Sequence, residues 1–242
     1  NFEAILTLRP HALPSALPLL LLWLASPEVA IFLGRPLPTR GRQLDEGDRV
    51  LLRRIARRTW RYFEVFAGPD DQWLPPDNFQ EQPRGDVAHR TSPTNIGMMF
   101  LSSLAACDLG YVGLHELASR LRNSLDTLAR IDRYHGHLFN WYDTRTIEPL
   151  EPRYVSTVDS GNLGVSLLAL KEGCLELADG PALRPQQWRG LSDVLTLLAD
   201  AAEQLSLDSD EASSLRGHIG AIESQLRAID ADAGRWWPTL RH

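Results

Sequence analysis

The alternation of long and short connections between predicted helices most constrains how this chain can fold. Apolar residues recur every three or four positions in successive stretches, as they do on the buried face of a helix. No stretch predicts a strand longer than a few residues, so the pattern indicates an all-α fold. Among the connections, the first and third are long, whereas the second and fourth are short. The predicted helices cover about 45–66, 93–110, 114–133, 159–178, 186–205 and 210–229.

Loop length determines the direction of neighbouring helices. A short connection makes consecutive helices antiparallel. If directions alternate throughout, both long loops emerge at one end, together with the N-termini of the second and fourth helices. One rim that carries the long loops is typical of an α/α toroid. We therefore predict that residues 44–242 form an all-α fold with the layout of an α/α toroid built from antiparallel helix hairpins; that they are only part of such a toroid is implied by the family resemblance described below.

The N-terminal segment is apolar enough to enter a membrane. Residues 12–34 contain one charged side chain, Glu28, and about 20 apolar residues span a bilayer core. Membrane helices tolerate prolines when other groups satisfy the freed carbonyls. A cleaved signal peptide fits less well because the apolar run is long and the basic flank follows it. The interpretation of this segment as a buried hydrophobic helix remains an open alternative. We predict that residues 1–43 are a membrane-anchoring segment and linker, with the later arginines, and hence the helical domain, on the cytoplasmic side.

Composition excludes several classes of function. The net charge of −6 and pI near 5.6 argue against a nucleic-acid partner, which requires a basic face. The two cysteines lie far apart in apolar runs and predict no disulfide framework. His135 and His137 resemble half a metal site without further ligands, so we predict no metal, and no motif predicts a cofactor. A chain that begins at Asn1 is expected to be part of a longer polypeptide.

The two long loops have the composition of a carbohydrate site. Aromatic rings can stack on sugar rings, and planar polar groups make the paired hydrogen bonds that vicinal hydroxyls require. The loops cover 70–97 and 134–164, and they contain Trp73, Trp141, Tyr142, Asp77, Asn78, Arg90, Asn95, Asn140, Asp143, Asp159 and Asn162.

Structural roles stay open for the same side chains. Trp73 and Trp141 could fill the helix layer, and Asp143 could be a turn residue. Asp159 and Ser160 could cap the helix that we predict to begin there. His89 and Arg90 could tie the loops together.

Four ordered motifs resemble a known family. The stretches WLPPDNFQE, AHRTSPTNIG, NWYDTR and VDSGNL are similar to the central region of bacterial cyclic β-1,2-glucan synthases, and LLWLASPEVA resembles the last membrane helix before it. The resemblance covers about 19–178. It implies an inner-membrane protein whose middle domain, a glycoside-hydrolase-like toroid, closes linear β-1,2-glucan into a ring by retaining transglycosylation.

The resemblance also implies which half of the site this chain holds. A retaining mechanism needs two carboxyls about 5–5.5 Å apart, and the resemblance places that pair downstream. The chain alone would then be inactive and would supply glucan-binding loops, with the remaining domains of the polypeptide as partners. The predicted substrate-binding residues are His89, Arg90, Trp141, Tyr142, Asp143 and Asp159, with Asp143 and Asp159 as the catalytic candidates within this chain.

Two other functions stay open. One is a structural module that tethers and spaces the catalytic domains of a membrane glycosyltransferase. The other keeps the toroid but changes its reaction to β-glucan hydrolysis or phosphorolysis.

Overall fold

The computed structural model describes residues 13–34, 44–181, 184–204 and 209–236. The chain forms two compact units, Asn1–Asp45 and Glu46–His242. Residues 35–43, at the end of the predicted membrane-anchoring segment and linker, lie outside the described residues.

The described part of the first unit is a single apolar helix, α1 (Leu13–Leu33). Over Pro14–Leu33 it is long and apolar enough to cross a membrane. Pro27 cannot donate to the carbonyl of Trp23, four residues earlier. The Ser26 hydroxyl donates to that oxygen instead, at 2.7 Å, so the helix continues through the proline.

The second unit is helical, as predicted, with three very short antiparallel ribbons. The helix starts agree with the sequence pattern within two residues, and the only described strands are two residues long. The helices are α2 (Glu46–Phe66), α3 (Pro93–Leu109), α4 (Leu114–Arg130), α5 (Thr157–Ala178), α6 (Gln186–Gln204) and α7 (Ser209–Trp236); the strands are β1 (Phe79–Gln80), β2 (Asp86–Val87), β3 (Arg90–Thr91), β4 (Arg133–Tyr134), β5 (His137–Leu138) and β6 (Tyr142–Asp143).

Local sequence explains both ends of α3. Ser92 accepts a hydrogen bond from the backbone N–H of Asn95 and Pro93 occupies the first turn, the arrangement that favours a helix start. Gly110 ends the helix with φ of 85°, a conformation that side-chain-bearing residues rarely adopt. The sharp turn reverses the chain into α4, so these two helices form the predicted antiparallel hairpin.

The helices α3 and α5 lie side by side and run in the same direction. Thr94 at the start of α3 contacts Asp159 at the start of α5, and farther along Gly173 of α5 lies against Leu104 of α3. A Cβ atom on Gly97 would come within 2.7 Å of Ser166 Oγ. Glycine therefore lets the two backbones approach closely, and the parallel pair is the arrangement expected for alternate helices of an α/α toroid.

The main core lies between α2, α3, α4 and α5. Its fully buried side chains include Leu74, Ile96 and Phe100, with Trp60 beneath the Arg120 guanidinium. A smaller cluster joins α6 to α7 through Leu195 and Ile219. The core thus supports the ends of both long loops.

Candidate functional site

The strands β3 and β6 join the two long loops. Arg90 pairs with Asp143, and Thr91 pairs with Tyr142, in antiparallel register. The backbone N–H of Thr144 also donates to the carbonyl of His89 at 3.1 Å. Two segments that are distant in sequence therefore form one surface, as the loop-length argument predicted. Five of the predicted binding residues lie in or next to this ribbon.

A buried aspartate fixes the base of the ribbon. Asp71 is 5% exposed, and its Oδ1 atom lies 2.7 Å from His89 Nδ1. The same oxygen accepts a hydrogen bond from the Thr144 hydroxyl. Because a buried carboxylate must be paired to be tolerated, we assign these three residues, here named the Asp71 cluster, a structural role. His89 is thus engaged through one ring nitrogen.

A second aspartate organises the exposed side of the ribbon. Asp77 Oδ2 accepts from Arg90 Nε at 3.2 Å and from Arg90 Nη2 at 3.0 Å. Its Oδ1 atom accepts from Asn95 Nδ2 at 3.2 Å. The Arg90 guanidinium lies over the Trp141 ring, 4.8 Å from the ring centroid. Asp77, Arg90, Asn95 and Trp141, here named the Asp77 cluster, combine charge, amide and aromatic groups at the surface.

Tyr62 connects the loop to helix α2 between these two aspartates. Its hydroxyl donates to the carbonyl of Pro76 at 2.7 Å. Burial raises the pKa of Tyr62 to about 12, and the negative charges of Asp77 and Asp71 act in the same direction. The tyrosine therefore stays a neutral donor and holds the loop in place.

Asp143 forms a tight turn, one of the alternatives raised by its sequence. Its Oδ1 atom accepts from the backbone N–H groups of Arg145 at 2.8 Å and Thr146 at 3.0 Å. Burial opposes ionisation of this carboxyl, but the two backbone donors and the charges of Arg145 and His89 outweigh it and lower its pKa. Asp143 is therefore ionised at neutral pH and is a poor proton donor.

The prediction that Tyr142 stacks on a sugar is wrong, because its side chain is 0% exposed. The hydroxyl donates to the carbonyl of Asp132 and accepts from the N–H of Phe139, both at 2.7 Å. Side chains alternate between the two faces of a strand, and Tyr142 points into the core while its neighbours in β6 do not. Burial raises its pKa.

Asp159 lies in the first turn of α5. Its carboxylate accepts from the Thr94 hydroxyl, and the Asn162 amide donates to that same hydroxyl at 3.2 Å. The alternative that Asp159 and Ser160 cap this helix is contradicted, because Ser156 caps it by accepting from the N–H of Asp159 at 3.2 Å. Since Thr94 precedes Asn95, polar groups continue from the Asp77 cluster to the start of α5.

Two aspartates in these networks were absent from the predicted binding set. Asp71 and Asp77 are non-local partners of His89 and Arg90. The only signal for these pairs in the sequence is that acidic and basic residues occur in the same loop. Trp73 is half-buried and lines a small cavity together with Trp60 and Phe100.

A surface pocket of about 230 Å³ adjoins the start of α5. The residues that line it include Leu163, Gly164 and Leu167 of α5, together with His137 and Ser160. His137 Nδ1 lies 3.2 Å from Ser160 Oγ. None of the predicted binding residues lines this pocket. Within the described ranges, no cluster of three or more His, Cys, Asp or Glu side chains could hold a metal ion.

Comparison with known proteins confirms the family resemblance. The chain is 45% identical over 219 residues to the cyclic β-(1,2)-glucan synthase NdvB of Rhizobium meliloti strain 1021. The match covers 88% of this chain but only 8% of that synthase. No family model matches the chain.

Two solved structures have limited similarity to the fold. A candidate glucoamylase from Bacteroides fragilis matches 66% of this chain and 37% of its own, with 22% identity and a TM-score of 0.46. A candidate glucoamylase from Bacteroides caccae matches 72% of this chain and 36% of its own, with 18% identity and a TM-score of 0.35.

Proposed function

We propose that this chain, homologous over most of its length to a segment of a cyclic β-1,2-glucan synthase, supplies glucan-binding loops to the domain that closes linear β-1,2-glucan into a ring. The observation that carries the proposal is the Asp77 cluster. There, an exposed arginine, a carboxylate, an amide and an indole ring converge from both long loops.

Each member of that cluster has groups suited to a sugar. The Arg90 side chain is 52% exposed, and within the described part of the chain its Nη1 atom makes no hydrogen bond. That nitrogen would donate to two vicinal hydroxyls. The guanidinium covers one face of Trp141, so a glucose ring would stack on the opposite face of this half-buried indole. Asp77 fixes the guanidinium plane and thereby the direction of its donors.

Asp143 and Asp159 would bind hydroxyls rather than carry out catalysis. Two backbone donors hold the Asp143 carboxylate and lower its pKa, which makes it unsuitable as a general acid. The Thr94 hydroxyl engages Asp159. The acid/base and the nucleophile of a retaining transglycosylation would therefore come from elsewhere in the polypeptide, and the chain alone would be inactive.

The apolar helix α1 would anchor the polypeptide in the bacterial inner membrane. Its length and composition support a membrane span, and its large apolar side chains, such as Trp23 and Phe32, are exposed. The arginines that follow it in the sequence favour a cytoplasmic location for the helical domain.

The test replaces Trp141 with alanine in the full-length synthase and measures the rate of cyclic product formation at subsaturating linear glucan. Loss of aromatic stacking is expected to lower that rate about tenfold, corresponding to about 1.4 kcal/mol. The matched control is Tyr134→Ala, which removes another exposed aromatic ring of the second loop outside the Asp77 cluster.

Equal rates for Trp141→Ala, Tyr134→Ala and the unmodified synthase would contradict the proposal and favour a structural spacer. If the unmodified enzyme produced shortened linear glucans in place of cyclic glucans, the result would instead indicate hydrolysis.

A further inference from the structure

Helix α5 carries apolar side chains on two sides, and one of these sides is uncovered in the described part of the chain. Its inner side packs on α3, with Ser166 and Leu170 buried. Its other side exposes Val165 and Leu168 by 68% and 64% of their surfaces in this structure. Exposed apolar side chains that adjoin one another on a helix ordinarily mark a contact surface. The exposed side therefore lacks a cover within the part of the chain that the structure describes.

The described residues make no contact that requires glycine at two positions on α5, Gly161 and Gly164, although Gly164 lines the pocket beside the start of that helix. By contrast, a Cβ at Gly97 or Gly173 would come too close to a side chain of the facing helix, which would have to move. A Cβ on Gly161 or Gly164 would meet nothing within 4 Å. Glycine inside a helix costs about 1 kcal/mol relative to alanine, so these two positions lower helix stability without a compensating contact in view.

The sequence of α5 repeats that of α3. Asn95-Ile-Gly-Met-Met-Phe-Leu101 in α3 corresponds to Asn162-Leu-Gly-Val-Ser-Leu-Leu168 in α5, and Cys107 to Cys174 at the same spacing. In this correspondence Gly164 is the equivalent of Gly97, and Leu168 is the equivalent of Leu101. Thus α3 and α5 share a short sequence pattern as well as their direction.

The sequence similarity between α3 and α5 indicates which contact the uncovered face of α5 would make. On α3, the side that carries Thr94, Gly97 and Leu104 receives α5. The equivalent side of α5 carries Gly161, Gly164 and Lys171, and both glycines are exposed. The face that α3 uses to bind its successor is therefore the face that α5 leaves open.

We propose that this face, here named the α5 docking face (Gly161, Gly164, Val165, Leu168), packs against the next parallel helix of the same type, supplied by the same polypeptide. That helix would place a small or short polar side chain against Gly164, as Ser166 lies against Gly97. This chain spans 8% of the homologous synthase, so a polypeptide of that kind has further sequence to provide the helix. The inference rests on the proposed function only in taking the chain to be a segment of a longer synthase.

The experiment places a photoreactive amino acid at Leu168 of the full-length synthase in its membrane, without added glucan. The expected result is an intramolecular cross-link, identified by mass spectrometry, to an apolar helical peptide outside residues 1–242. A photoreactive residue at Asp126, on the exposed side of α4, is the matched control and should give no cross-link to that peptide. Gly164→Leu, which fills the proposed contact, should abolish the Leu168 cross-link.

The proposal would be overturned by a dimer cross-linked through Leu168 of two copies, by a cross-link to lipid or by reaction with water alone. A cross-link within residues 1–242 would overturn it as well. The cross-linking experiment measures helix packing, whereas the Trp141→Ala assay measures product formation. Either proposal can therefore fail while the other stands.

Discussion

The Asp71 and Asp77 clusters are built from similar residues but differ in burial. Each has an aspartate from the first loop, a basic residue from the segment His89–Arg90 and a residue from the second loop. Asp71 is 5% exposed and its partners close it off, whereas Arg90 of the other cluster is 52% exposed. Two adjacent residues thus serve different purposes: His89, just before β3, joins the loops, and Arg90, the first residue of β3, faces solvent.

Burial determines what each cluster can contribute. A buried hydrogen-bonded group that loses its partner is left unsatisfied, which destabilises the fold. A solvent-exposed ion pair contributes little to stability because water and salt screen it. Only the exposed cluster can exchange its water contacts for contacts with a sugar. The two clusters should therefore respond oppositely to substitution, one in stability and the other in binding.

The largest expected effect is on stability. We expect Asp71→Ala to lower the free energy of unfolding by about 3 kcal/mol, because His89 and Thr144 lose a buried partner. Urea titration of the chain in mild detergent, followed by tryptophan fluorescence, measures the change. Asp77→Ala is the matched control and should cost about 1 kcal/mol or less. Equal losses for the two variants would remove the distinction between the clusters.

A smaller effect is expected on binding. We expect Arg90→Lys to weaken binding of linear β-1,2-glucan to the full-length synthase about tenfold, because lysine keeps the charge but loses the planar paired donors. Isothermal titration calorimetry measures the affinity. The exposed Arg153 in the second loop offers a matched control as Arg153→Lys, which should bind normally. Unchanged affinity in Arg90→Lys would leave the Asp77 cluster without a role in binding.

The smallest expected effect concerns pH. The folded-state pKa of Asp143 lies below its ordinary value of 3.8, so its ionised form adds stability above pH 3.8 that is lost as the pH falls through the lowered value. Asp143→Asn keeps the Oδ1 acceptor but removes the charge. Denaturant titrations between neutral and acidic pH should therefore show a shallower acid-dependent loss in this variant than in the exposed-site control Asp86→Asn. Parallel curves for the two variants would show that the Asp143 charge contributes nothing.

The sequence predicted the helices well because their signals are local. Ser92 and Pro93 mark the start of α3, and Gly110 its end, within a few residues of the helix they define. The distribution of long and short loops also predicted that both long loops meet, which the pairing of β3 with β6 confirms.

Predictions that depended on side-chain direction failed. The stretch NWYDTR contains two adjacent aromatic residues, Trp141 and Tyr142. Adjacent side chains in an extended chain point to opposite faces. Without the register of β6 against β3, the sequence could not indicate that Tyr142 is the buried one. Likewise, Ser156 and Ser160 are both capable of capping a helix, and the backbone geometry rather than the residue type selects Ser156. The partners Asp71 and Asp77 required the folded loop to bring them to the ribbon.

The two-residue ribbon of β3 and β6 also limits how the loops can vary in length. A slip of one residue would turn Trp141 and Asp143 towards the core and Tyr142 towards solvent. Insertions before Phe79 or after Thr146 would leave this register intact, but an insertion between His89 and Thr91, or between Trp141 and Asp143, would not. A few backbone pairs thus set the permissible lengths of two loops that are otherwise free to diverge.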